Sequence, residues 1–168
     1  KYGELLMDNE TGMQIAEFTK KKIFEPGIVL EGGSIETNGL GTCITTEQCL
    51  LNKNRNPNLS KEDIEEYLKG YLGFKNFIWL KGGIEGDDTD GHVDDIARFV
   101  NKNMVICMME ENQNDENYKN LEENFDILKK AHDQDGKKFN VIPISMPRKM
   151  EISERRLAAS YANFYIGN

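Results

Sequence analysis

Short apolar runs alternate with longer amphipathic stretches along this chain, in an order that repeats loosely as strand, strand, helix, strand. Strands and helices interleaved in this way predict a mixed α/β architecture, in which helices cover sheets that neither element could bury alone. The predicted strands lie at residues 28–30, Thr42–Thr46, 77–80, 96–100, Met104–Met109, 139–144 and 161–166. The strands at 96–100 and 104–109 are joined by Asn101-Lys102-Asn103, which predicts a hairpin. Helices are predicted over 11–24, 60–72 and 114–131. Ser60 caps the second, with Asp63 three residues on, and Ile64, Tyr67, Leu68 and Tyr71 form its apolar stripe. In the third, Tyr118, Leu121, Phe125 and Leu128 share one face. No linker or low-complexity segment divides the 168 residues, so one domain is expected.

The most unusual stretch is "GDDTDGHVDD", residues 86–95. Carboxylates packed this closely repel one another, so their placement calls for a reason. An EF-hand fails as that reason: with Gly91 at loop position 6, Asp88 and Asp90 fall at 3 and 5, but position 1 is Gly86 and position 12 is Ala97. A non-EF metal site rests on carboxylate density alone. Aspartates between glycines commonly cap turns, and that reading serves Asp87, Asp88, Asp90 and Asp95.

His92-Val93-Asp94 differs. If the chain runs extended there, alternation puts His92 and Asp94 on one face, pairing a titratable imidazole with a carboxylate that can receive a cation. Glu31, between an apolar run and Gly32-Gly33, also has a site-like setting, since glycine lets other groups approach closely. Arg98, a charge inside an apolar strand, is expected to pair with a carboxylate. Cys43, Cys49 and Cys107 have neither a disulfide framework nor zinc-ligand spacing, and each sits among apolar neighbours as a small hydrophobe. A formal net charge of −8 argues against phosphate-rich partners such as nucleic acid. No run approaches the roughly 18 apolar residues of a membrane span. Reduced cysteines fit a cytoplasmic setting.

Taken together, "VLEGGSIETNG" (29–39), "CLLNKNRNP" (49–57), "DDTDGHVDDIARF" (87–99) and "RLAASYANFYIGN" (156–168) resemble the agmatine deiminases of the Porphyromonas-type peptidylarginine deiminase family. The resemblance implies a pentein-type α/β-propeller of five mixed sheet-helix modules, of which this chain would hold only a part, the middle of a longer protein. It implies a guanidine hydrolase that converts agmatine and water to N-carbamoylputrescine and ammonia through a cysteine-thiolate intermediate, with no metal or organic cofactor. By the same resemblance His92 is the acid/base, Asp94 a guanidinium-binding carboxylate, and Glu31 the group that orients His92. The expected partner is a small cationic guanidine, with a homo-oligomer possible. The family's nucleophile lies in a Gly-rich stretch ending His-Cys, and its second guanidinium-binding aspartate in an Arg-Asp-x-Gly-Pro-like motif. Neither occurs in these residues. Cys43 sits in a "CIT" that echoes the family's nucleophile motif, but in the wrong module, so the role does not transfer to it, and the segment by itself is expected to be inactive.

Overall fold

The computed structural model describes residues 7–167. Strand β2, Thr42–Thr46, has every residue buried, and the fold is organised around it. It pairs antiparallel with β1, Ile35–Thr37, and parallel with β3, Asn76–Leu80. A parallel pairing needs a crossover, since a tight turn cannot return the chain to the same end of the sheet. Helix α3, Lys61–Leu72, supplies it. Its start carries the predicted capping box, with Ser60 Oγ accepting from Asp63 N–H and the Asp63 carboxylate accepting from Ser60 N–H. Gly73, at φ 74°, ends it.

The second half repeats this topology. Strands β4, Ala97–Asn101, and β5, Met104–Met109, form the predicted antiparallel hairpin. Helix α4, Tyr118–Lys130, then crosses over to β6, Asn140–Ser145, which lies parallel to β5.

Period-two alternation sorts the first sheet's side chains between two cores. Cys43, Phe77 and Trp79 face one way and pack with Ile64 and Leu68 of α3. Ile44, Ile78 and Leu80 face the other and join Leu121 and Leu128 of α4 with Phe99, Val105 and Met108 of the second sheet. The first sheet is thus covered on both faces, which explains why β2 reads as a continuous buried run. The two units also meet edge to edge. Glu36 of β1 accepts from Phe99 N–H (2.8 Å) and from Arg98 Nε (2.9 Å) on β4.

Helix α4 has a polar duty too. Asn124, fully buried, accepts from Lys81 N–H and donates to Gly82 O, both at 2.8 Å. Asn120 donates to the carbonyls of Gly82 and Gly83, and Asn117 accepts from Glu85 N–H. Three asparagines on one helix therefore hold the segment that runs from β3 into the acidic loop.

Two predicted strands do not form. At 28–30, Val29 gives its N–H and its carbonyl to the side-chain amide of Asn56 instead of to a sheet neighbour. At 161–166, the carbonyls of Ala162 and Phe164 accept from Arg98 Nη1. In both segments side chains satisfy backbone groups that a sheet would otherwise have paired. Helix α1, Asp8–Thr19, stops short of the predicted end because Lys20 adopts a left-handed conformation, φ 54°. Strand β1, Ile35–Thr37, the short helix α2, Glu47–Leu50, and the two-residue strands β7, Glu151–Ile152, and β8, Arg155–Arg156, were not foreseen. Among the described residues no helix is long and apolar enough to cross a membrane.

Replacing Asn124 by Leu would leave Lys81 N–H, part-buried just after β3, without its partner. An unsatisfied buried donor costs about 1–3 kcal/mol. Urea denaturation of Asn124→Leu should therefore show a loss of that size with an unchanged m-value.

Candidate functional site

Three segments converge on His92. The first is the acidic loop, which Asp87 builds. Its carboxylate accepts from the N–H groups of Thr89 (2.7 Å), Gly91 (2.7 Å) and His92 (3.2 Å), and from the Thr89 hydroxyl. Burial pushes the Asp87 carboxyl up, but these donors outweigh it and hold the group below its ordinary range. Asp90 and Gly91 take positive φ, 62° and 90°, and turn the chain back toward the core. Thr46, at the end of β2, donates its hydroxyl to Gly91 O at 2.6 Å.

The turn then leads through His92 into a single 3-10 turn, Val93–Asp95, rather than into the extended strand expected from sequence. Val93 plugs into the core. His92 and Asp94 still share a side, because the tight turn brings them round Val93. Nδ1 of His92 lies 3.9 Å from Asp94 Oδ1.

The second segment is the 3-10 turn Gly32–Ser34, which follows Glu31. It lies directly under the His92–Asp94 pair. A Cβ on Gly33 would stand 2.5 Å from His92 Nδ1 and 2.7 Å from Asp94 Oδ2, so only glycine fits without displacing them. Thr45 of β2 fixes this turn by donating its hydroxyl to Ser34 O at 2.8 Å. The Glu31 carboxylate reaches the other ring nitrogen, with Oε1 3.6 Å from Nε2.

The third segment, after α2, carries Arg55, a residue to which sequence reasoning gave no role. Its guanidinium grips Glu31: Nε is 2.9 Å from both carboxylate oxygens and Nη2 is 2.6 Å from Oε1. It also donates to Thr89 O and to Asp90. Burial pushes the Glu31 carboxyl up, yet Arg55 and His92 together bring it below its usual value. Asp94 is the opposite case. Burial raises it, and the nearby charges of His92 and Arg98 offset that only in part. His92 Nε2 and Asp94 Oδ1 are both buried without a hydrogen-bond partner among the described residues. Unpaired buried polar atoms are costly and concentrate where something else binds.

The remaining candidates are structural. Arg98 pairs with Glu36, as expected of a charge in a strand. Asp95 accepts from Ser160 Oγ through its backbone carbonyl and from Asn163 through its carboxylate. Cys43, Cys49 and Cys107 are buried, and burial pushes each thiol up to about 12. Glu31, Cys49 and His92 bring one donor atom each within 4.8 Å of one another. Arg55 already engages both Glu31 oxygens, which leaves that carboxylate poorly placed to ligate a cation. What the arrangement can do is hold a cation against Asp94 and move a proton at His92.

The Porphyromonas-type peptidyl-arginine deiminase family matches over residues 1–168. An agmatine deiminase of Medicago truncatula is 41% identical over 99% of this chain and 50% of its own length. A substrate-bound Cys-to-Ser variant of C. jejuni agmatine deiminase superposes with a TM-score of 0.85 at 40% identity, over 94% of this chain and 46% of that one. An Enterococcus faecalis agmatine deiminase gives a TM-score of 0.85 at 35% identity, over 94% and 48%. The chain spans about half the length of the curated relatives it matches.

Two outcomes follow from this geometry. Alkylation at neutral pH, read by peptide mass mapping, should leave Cys43, Cys49 and Cys107 unmodified until denaturant is added. Labelling of native Cys43 would put it back among the nucleophile candidates. Gly33→Ala should keep the fold, with a melting curve close to the parent's, while a crystal structure shows His92 and Asp94 displaced from the Gly32–Ser34 turn.

Proposed function

The chain belongs to the Porphyromonas-type peptidyl-arginine deiminase family, and from that premise we propose that the intact protein is a guanidine hydrolase acting on agmatine. The products are N-carbamoylputrescine and ammonia. The two strand-strand-helix-strand units are read as two consecutive modules of a five-module propeller, this chain being the middle of the whole.

One observation carries the reading: His92 sits between two carboxylates in opposite states. Glu31 is already neutralised by an internal guanidinium, whereas Asp94 is half-buried with one oxygen, Oδ1, buried and unpartnered. A planar guanidinium from substrate would complete Asp94 by charge-assisted hydrogen bonds. Glu31 would accept from Nε2 and so present Nδ1 toward the guanidinium carbon on the Asp94 side.

The chemistry then runs in two halves. A cysteine thiolate outside these 168 residues adds to the guanidinium carbon. His92, as imidazolium, gives its proton to the departing nitrogen, and ammonia leaves with the carbon attached to sulfur. The neutral imidazole next takes a proton from water, the resulting hydroxide adds to the same carbon, and the thiolate is expelled to leave the urea product. No metal or organic cofactor takes part in this scheme.

The intact enzyme should release ammonia from agmatine in preference to free arginine or peptidyl-arginine, and residues 1–168 alone should not. In a variant lacking the nucleophile, calorimetry should find agmatine binding nearly unchanged by His92→Asn. Asp94→Asn should weaken it by about 1.5–3 kcal/mol, the worth of a hydrogen bond to a charged group. Glu31→Gln should mainly lower turnover. If Asp94→Asn binds like its parent while His92→Asn does not bind, the two roles are wrongly assigned.

A further inference from the structure

We propose that Arg55 is a positioning residue for this reaction, acting through Glu31 and not on the substrate. The proposal rests on the deiminase reading for its kinetics but on geometry for its substance.

All the donors of the Arg55 fork are spoken for. Nε bonds both Glu31 oxygens, and Nη2 bonds Glu31 Oε1 and Thr89 O, each at 2.6 Å. Nη1 bonds Asn54 Oδ1 and Asp90 Oδ2, each at 3.1 Å. A guanidinium has five N–H groups and no acceptor, so nothing is left for a ligand. The side chain is also only 7% exposed. Arg55 therefore does not touch substrate.

Glu31 is another matter. Its side chain is 36% exposed, and the hydrogen bonds to its carboxylate all come from Arg55 among the described residues. With that fork removed, only the attraction of His92 itself would act on the Glu31 carboxylate, whose Oε1 lies 3.6 Å from Nε2. The groups facing Glu31 and His92 are Arg55, Cys49, Asp87, Asp90, Asp94 and Asp95, with Arg98 beyond Asp94. Of these, only Arg55 is a cation within bonding distance of Glu31.

There is a second consequence. A substrate guanidinium is the same chemical group as the one on Arg55. Because Glu31 is already matched bidentately by Arg55, that carboxylate does not compete with Asp94 for an incoming cation. The internal guanidinium thus favours Asp94 over Glu31 as the substrate's partner. Lysine would keep the charge but lose the planar fork that sets the carboxylate's orientation.

The test is a double-mutant cycle in the intact enzyme, with a crystal structure beside it. We expect Arg55→Lys to lower kcat about 10-fold and Arg55→Met about 100-fold, the latter at the low end of the ~10²–10⁴ that acid/base assistance contributes. KM should stay close to the parent's. In a Glu31→Gln background the same changes should add little, since residues that act through one another are not additive. A purely structural Arg55 would instead multiply its effect on that background and raise KM as the acidic loop loosens, and that result would overturn the proposal. The structure of Arg55→Lys decides the point independently of turnover. The Glu31 carboxylate should be rotated away from Nε2, and its retention in place would also sink the idea. Should Arg55→Met not fold, the Lys variant carries the test alone. Failure of the parent to release ammonia from any guanidine would overturn the deiminase reading, while the Glu31 displacement would still decide the role of Arg55.

Discussion

Two threonine hydroxyls at one end of a buried strand hold the site together. Thr45 donates to Ser34 O and so fixes the turn beneath His92. Thr46 donates to Gly91 O and so fixes the acidic loop. The same Thr46 oxygen caps α2 by accepting from Cys49 N–H, and the chain beyond α2 delivers Arg55. Thr42, at the far end, donates to Gln134 beyond α4. A buried hydroxyl without a partner is expensive, so these bonds tie loop positions to the strand's register. Because β2 is itself covered on both faces, that register is rigid, and the loops inherit its precision.

Charge is managed by pairing unlike neighbours around one imidazole. Glu31 and Asp94 flank His92 at similar distances, 3.6 Å and 3.9 Å, and apart from the family resemblance no local pattern tells them apart. Their surroundings do. Arg55 answers the charge of Glu31, while Asp94 is left with burial and a free oxygen. A protein can keep a buried carboxylate ionised only if something compensates it. One carboxylate compensated from within and one awaiting compensation is an asymmetry suited to receiving a cation on one side of the histidine only.

Much of the frame was legible in the sequence. The Ser60 capping box, the hairpin at 101–103 and the apolar stripes of α3 and α4 depend on local periodicity, and each is present; the strand-strand-helix-strand order holds too, but in the first unit its opening strand is β1 and not the segment 28–30. The segments misread as strands, 28–30 and 161–166, have strand-like composition, but their hydrogen bonds go to Asn56 and Arg98. Composition reports that a segment is extended; it cannot report which partner will satisfy it. The pairing of His92 with Asp94 was anticipated on a strand's alternation, whereas a 3-10 turn achieves it.

The sequence by itself determined the kinds of groups available and the elements that carry them, because turn chemistry and hydrophobic period act over a few residues. It marked Glu31, His92 and Asp94 as groups able to bind a cation and shift a proton. Tertiary structure alone decided which carboxylate would be compensated. Arg55, Asn120 and Asn124 read locally as ordinary polar residues of a loop and a helix. Their roles exist only because parallel pairing of β2 with β3, and packing of α4 across that sheet, bring distant chain segments within hydrogen-bond range. Hydrogen bonds act over about 3 Å, and no local pattern encodes which distant groups the fold will place that close.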